Sequence, residues 1–243
     1  MSIALAQSAQ NDSTGSAATL AQAFTPQNTV TGSYFWCYCY GLTTTATHSV
    51  SDSANGSWTQ LDGATFTGGF WSHWFVLNSL GGGTKPTVTN TYSASTTFRG
   101  LFIAEITGTS GPDILGTPYH KMNNQTSPTA AAGNVTTGNM APSLQPGLCI
   151  GASVGKDFDT TMSSFGSGWV DLTPSTFWAS FGGKFGDAEY FIYSSFSSLA
   201  AQFTIAAAIT QTTSAGVLFA QSAPGPIVVP PGGDMPRQLY VMP

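Results

Sequence analysis

The chain has 243 residues, of which 7% are charged, with 6 Lys+Arg against 11 Asp+Glu and a formal net charge of −5; ordinary soluble domains carry about 25% charged residues. So few scattered cations exclude a phosphate-tracking groove, and with it nucleic-acid binding as a main activity. The acidic balance does not suit anionic membrane surfaces, and no run approaches the ~18 apolar residues of a membrane-spanning helix.

Hydrophobic residues at 41% and aromatics at 12% supply enough apolar surface to offset chain entropy, so the chain reads as folded. Its size suits one large β domain. Residues 1–19 read as an N-terminal arm with a first strand over 3–9, followed by a polar connection over 10–19. A β-sandwich domain follows over 20–222. The strongest strand is SYFWCYCY over 33–40. Tyr34, Trp36, Tyr38 and Tyr40 face one way, and Phe35, Cys37 and Cys39 the other. Both faces are bulky and apolar, which predicts a central strand covered on both sides.

Short strands and turns then alternate. His48 to Asp52 is extended, and Asn55-Gly56 is a hairpin turn signal because both residues tolerate φ > 0. Strands follow at Trp58–Leu61, 70–77 (FWSHWFVL), 86–93 (PTVTNTYS) and 97–107 (TFRGLFIAEIT). Residues 108–147, rich in Gly, Pro, Asn and Thr, read as extended loops with one or two short strands. Further strands fall at Leu148–Val154, 189–194, 199–209 and 215–220. The pattern predicts an all-β protein, a jelly-roll-like β-sandwich of about ten to twelve short strands. The last segment, 223–243, holds six prolines and reads as an extended arm, partly polyproline II.

The residues point to no reaction. Cys37 and Cys39 share a strand face in poor disulfide geometry. With Cys149 they read as buried free thiols, which fits folding in a reducing compartment. The N-terminal segment lacks the cationic and apolar regions of a signal peptide. His48, His73 and His120 are scattered, so no zinc set forms. Asp157 with Asp159, and Asp52 with Asn55, read as turn residues bonding to their own backbone. The two glutamates, Glu105 and Glu189, do not form the paired-acid motif of a glycosidase. Neither a Gly-x-Ser-x-Gly elbow nor Walker spacing at Gly81–Gly83 is found. No cofactor is expected. Aromatics in Gly-rich loops, Trp169 and Trp178, are the candidate sugar-stacking residues.

The order of short motifs is more telling. Val50, Asp52, Gly56 and Trp58 form a turn after an aromatic strand. They are followed by Val88 and Thr89, then Glu105 and Gly108 in LFIAEITG, then PGLCIGAS at 146–153. Asn55-Gly56 stands in the reverse order from the pattern's Gly-Asn. Over roughly 33–220 this resembles the Ser/Thr/Gly-rich jelly-roll proteins of tailed bacteriophages, which serve as capsid decoration (cement) proteins or as tail-fibre modules. The resemblance implies a jelly-roll fold and a place in the virion, assembled in the host cytoplasm.

Composition agrees with such company, since a charge-poor Ser/Thr surface needs little desolvation when buried against neighbours. The expected partners are the major capsid protein or other virion proteins and further copies of the chain. The contact residues would be Pro226, Ile227, Val228, Val229, Pro230 and Pro231. Arg237, Leu239, Tyr240 and Val241 would extend the same surface. The alternative is a fibre or adhesin module that stacks a host glycan on Trp169 and Trp178.

Overall fold

A computed structural model describes residues 2–25, 27–42, 47–65, 70–78, 82–155, 161–172 and 186–223. Among these residues every regular element is a strand. In chain order they are β1 (Ala4–Ser13), β2 (Ala17–Ala23), β3 (Tyr34–Leu42), β4 (His48–Asp52), β5 (Gly56–Ser57), β6 (Thr59–Thr65), β7 (Phe70–Asn78), β8 (Thr87–Thr107) and β9 (Thr109–Pro112). They continue as β10 (His120–Thr126), β11 (Val135–Thr136), β12 (Gly147–Gly155), β13 (Met162–Phe165), β14 (Val170–Asp171), β15 (Gly186–Tyr193), β16 (Gln202–Ile205) and β17 (Gln211–Gln221). The all-β sandwich expected from the alternating pattern is what forms.

Seventeen strands exceed the ten to twelve expected. Six of them (β5, β9, β11, β13, β14 and β16) have only two or four residues, too few for a period to register, and eleven remain without them. Three readings change, the first being that the strand expected at 199–209 is only β16, Gln202–Ile205. The strands expected at 86–93 and 97–107 are one 21-residue strand, β8. It bends at Phe98, whose φ is +49°. β1 also runs on to Ser13, into the segment read as a polar connection, and Ala17–Ala23 adds a second strand.

All pairings are antiparallel. The C-terminal half of β8 pairs with β1 and with β3, and β7 and β6 extend that sheet. Its N-terminal half pairs with β2 and β4. β8 thus belongs to two blades, and the bend folds one across the other. A second sheet runs β10-β17-β12-β15-β14, and a small third sheet is β11-β16-β13.

Side-chain alternation then builds layers. Trp36, Tyr38 and Tyr40 of β3 and Phe102, Ala104 and Ile106 of β8 meet Leu148, Ile150, Val217 and Phe219 of the second sheet in the main core. The opposite face of β3, with Phe35, Cys37 and Cys39, packs on Leu20, Val50, Val88 and Tyr92 of the folded-over blade. β3 is therefore covered on both faces, as its sequence predicts. The far side of the second sheet buries Cys149, Leu218 and Tyr193 against Met140 and Leu199. The third sheet holds its own cluster around Val135, Met162 and Phe203. Gly151 permits that close stacking, since a Cβ there would lie 2.5 Å from the Ala201 methyl.

Candidate functional site

Five carboxylates are buried among the described residues, the natural place to look for chemistry, and each accepts a hydrogen bond from at least one main-chain amide. Asp52 accepts from the Ala54 and Asn55 amides at 2.7 Å each and from Trp58 Nε1 at 2.7 Å. It organises the β4–β5 turn, as a turn residue should. Asp113 accepts from the Ser143 amide at 2.7 Å, the Leu144 amide at 3.0 Å and the Ser143 hydroxyl, tying together segments thirty residues apart. Glu105 accepts from the Val30 amide and from Gln7 Nε2, both at 2.7 Å.

The remaining two acids form a pair that the sequence reading missed. By strand alternation β15 places Asp187 and Glu189 on one face, opposite Ala188, which enters the main core. Glu189 accepts from the Gln202 amide of the third sheet at 2.8 Å, and Asp187 from the Ala188 amide at 2.9 Å. Both are fully buried and present no surface to a substrate. Arg99, 4% exposed, donates to Ser13 Oγ at 3.0 Å, to the Gly15 carbonyl at 2.7 Å and to the Thr19 carbonyl, fixing the β1–β2 turn.

A second constellation joins Cys39, His48 and Asn90. Cys39 Sγ lies 3.8 Å from His48 Nδ1, and Asn90 Nδ2 lies 3.4 Å from the same nitrogen. A cysteine nucleophile needs a thiolate, with the orienting amide on the other ring nitrogen. Here burial pushes the Cys39 thiol well up and neighbouring Cys37 adds to the rise. The His48 ring packs edge-on against Tyr92 at 4.5 Å. The group is core packing. All three thiols are free and buried, as expected, and burial also raises Cys149. Among the described residues no group of three or more His, Cys, Asp or Glu is arranged to hold a metal ion.

Two surface features remain. The first is an aromatic ridge at the β14–β15 edge. Trp169 packs on Phe191 with ring centroids 5.6 Å apart, and Phe191 meets Phe196 edge-on at 5.3 Å. Gly168 makes room, because a Cβ there would lie 2.8 Å from the Phe191 ring. Trp169 is half-buried and reaches both outer core clusters, while Phe196 at the other end of the ridge is exposed. Trp178, Asp157, Asp159 and the contact residues named at 226–241 lie outside the described residues.

The second feature is a half-open groove of about 240 Å³ at the end of the sandwich. Among the described residues it is lined by the 30–33 turn, the β8–β9 junction at 107–109, and Ser222. Each wall is fixed. The turn is closed by the Ser33 amide and hydroxyl on the Val30 carbonyl, at 3.2 and 2.7 Å, with Gly32 at φ +80° in its third position. Glu105 holds the Val30 amide from below. Ser222 donates its amide to the Gly108 carbonyl at 2.9 Å. Gly108 has φ +66°, and a Cβ there would strike the Ser2 carbonyl.

Compared with protein-family models and with curated protein sequences, the chain matches none.

Proposed function

We propose that this chain is a non-catalytic structural protein of a bacteriophage virion, a decoration protein that cements the capsid shell. The carrying observation is the use made of its acids. Four of the five carboxylates buried among the described residues bond main-chain amides of turns and sheet junctions, so they set loop shape. The rest of the surface is charge-poor and carries exposed aliphatics at separate loops, among them Val30, Ile114, Leu115 and Leu144. Such surface is cheap to bury against a protein neighbour. The jelly-roll chain path, cytoplasmic assembly and oligomeric partners implied by the resemblance belong to the same proposal. The arm at 223–243 would add attachment points, and multivalency would turn modest contacts into lasting ones.

The test mixes undecorated capsids with the full chain and with residues 1–222. Tail-dependent binding supports the reading, and no capsid binding by either protein sinks it. A second reading, a glycan-binding fibre module, draws on the Trp169–Phe191–Phe196 ridge. It expects binding to host cells that survives loss of the tail and is lost in Trp169→Ala.

A further inference from the structure

The Asn55-Gly56 step marks the β4–β5 turn in the sequence, and the fold gives it a chemistry of its own. The chain has nine asparagines, and Asn55 is the one followed by glycine. The backbone nitrogen of the following residue attacks an asparagine side chain most readily when that residue is glycine, which has no Cβ to crowd the nitrogen. Gly56 is exposed with φ +82°, and a Cβ there would meet nothing within 4 Å. Asn55 is half-buried and its carboxamide is held. Nδ2 donates to both oxygens of Asp52, at 3.0 and 3.1 Å, and the Asn55 main-chain amide donates to Oδ1 at 2.7 Å. Asp52 is 7% exposed and also accepts from Trp58 Nε1 at 2.7 Å. Trp58 in turn packs on Phe35 in the core of the folded-over blade, with ring centroids 5.8 Å apart.

We propose that Asn55 is a self-modification site, a one-way covalent switch for which Asp52 is the latch. In the reaction the Gly56 nitrogen forms a bond to Asn55 Cγ and the Cγ–Nδ2 bond breaks. Nδ2 leaves as ammonia, taking up the equivalent of the proton that the Gly56 amide loses. The product is a five-membered succinimide. Water opens that ring at either carbonyl, which leaves aspartate at 55 or an isoaspartate whose main chain runs through the former side-chain carbon. Water is the only co-reactant. Attack needs Cγ within roughly 3–3.5 Å of the nitrogen and correctly aligned. Here Asp52 fastens the departing amide, and Gly56 is held in register opposite Asp52. Both reacting groups are fixed, so they meet when the turn opens. The product cannot restore the turn. A carboxylate at 55 has no N–H to donate and sets its charge against that of Asp52. Isoaspartate also lengthens the main chain inside a hairpin whose register pairs Asp52 with Gly56 and Ser51 with Ser57. Either product weakens the hold of Asp52 on the turn and on Trp58. The inference goes beyond the virion reading and rests on this turn alone.

Ageing the full chain in mildly alkaline buffer tests it. Peptide mapping should find an amide converted to a carboxyl, partly as isoaspartate, at Asn55 ahead of the other asparagines. The folded chain converts in proportion to the time its turn is open. Opening breaks charge-assisted bonds, so a free peptide of residues 49–61 should convert at least about tenfold faster. The aged chain gains negative charge, and ion exchange separates it. Its β4 amides should exchange hydrogen at least about tenfold faster than those of the unaged chain, with β12 unchanged. Asn55→Gln, whose longer side chain closes a six-membered ring far more slowly, should suppress the charge shift. Equal conversion in the folded chain and the peptide would overturn the latch, because Asp52 would then restrain nothing. A charge shift that persists in Asn55→Gln, or an aged chain with β4 exchange unchanged, would overturn the switch.

Discussion

Replacing Glu105 separates two accounts of why an acid is buried beneath the groove. Its carboxylate is fully buried and accepts two hydrogen bonds of 2.7 Å, from the Val30 amide and from Gln7 Nε2. If its work is to satisfy those donors, Glu105→Ala leaves both without an acceptor. Each buried donor so orphaned costs about 1–3 kcal/mol. Gln7 is 8% exposed and pays near the upper end, whereas Val30 is 46% exposed, so water reaches its amide more easily. The sum is about 2–4 kcal/mol, a large share of the roughly 5–15 kcal/mol that stabilises a typical domain. For a chain of this length that corresponds to a melting-temperature drop of roughly 5–15 °C.

The isostere is the control. Glu105→Gln keeps the volume and one acceptor oxygen, which serves the Val30 amide. Its new NH2 needs an acceptor, and Gln7 Oε1 is buried with no hydrogen-bond partner. A flip of the Gln7 amide pairs the two side chains, so this variant should lie within about 1 kcal/mol of the parent. Urea denaturation of the parent and both variants measures the differences. Glu105→Ala within about 0.5 kcal/mol of the parent would refute the clamp. Glu105→Gln as damaging as Glu105→Ala would show that the charge matters and not the hydrogen bonds.

Phe102→Ala, at the centre of the main core, should cost about 3–5 kcal/mol, read from the same urea curves. Cys39 and Cys149, raised by burial, should resist alkylation in the folded protein and label only under denaturant; rapid native labelling would contradict their placement. Gly151→Ala forces a methyl onto Ala201 and should loosen the third sheet, seen as faster hydrogen exchange in β16 with β3 unchanged. His120 lies 3.9 Å from Asp62, and burial lowers its pKa from 6.5 while Asp62 opposes the shift. The unfolded chain therefore takes up the proton first, so stability should fall as pH drops through about 6.5 and level off below the lowered folded value. His120→Gln should flatten that step in melting curves across about pH 5–8.

What was legible in the sequence follows from period and bulk. β3 could be read face by face because seven of its residues alternate between two apolar sets, and each set found its own core. The Asp52 turn was legible because its chemistry is local, with every bond inside a few residues. β8 was not legible as one strand, because its bend depends on a single residue, Phe98, whose left-handed φ no pattern announces. The 108–147 stretch, read as extended loops with one or two short strands, holds three strands, β9, β10 and β11. Asp187 and Glu189 were close in sequence, yet their shared burial is set by the third sheet closing over β15, a long-range event. Likewise the groove unites residues 30–33, 107–109 and 222, and only the pairing of β3 with β8 and of β9 with β17 brings them together.

The layering carries a consequence for how such a protein can meet a partner. Among the described residues β3 and β12 are covered on both faces, while the folded-over blade turns an outer face of Thr19, Ala21, Ser49, Thr87 and Thr91 to solvent. Also outside are turns and sheet ends, and it is to these that Asp52, Asp113, Glu105 and Arg99 are tied. Asp52 shapes the β4–β5 turn, Asp113 the 143–144 loop, Glu105 the 30–33 turn and Arg99 the β1–β2 turn. Elsewhere the few charges of a 7% charged chain would serve solubility. Here several are taken inside to hold loops rigid, and rigid loops lose little entropy when a neighbour covers them. That is the arrangement expected of a subunit whose work is to be packed against others, and it makes loop rigidity, more than any single contact residue, the property on which our functional proposal depends.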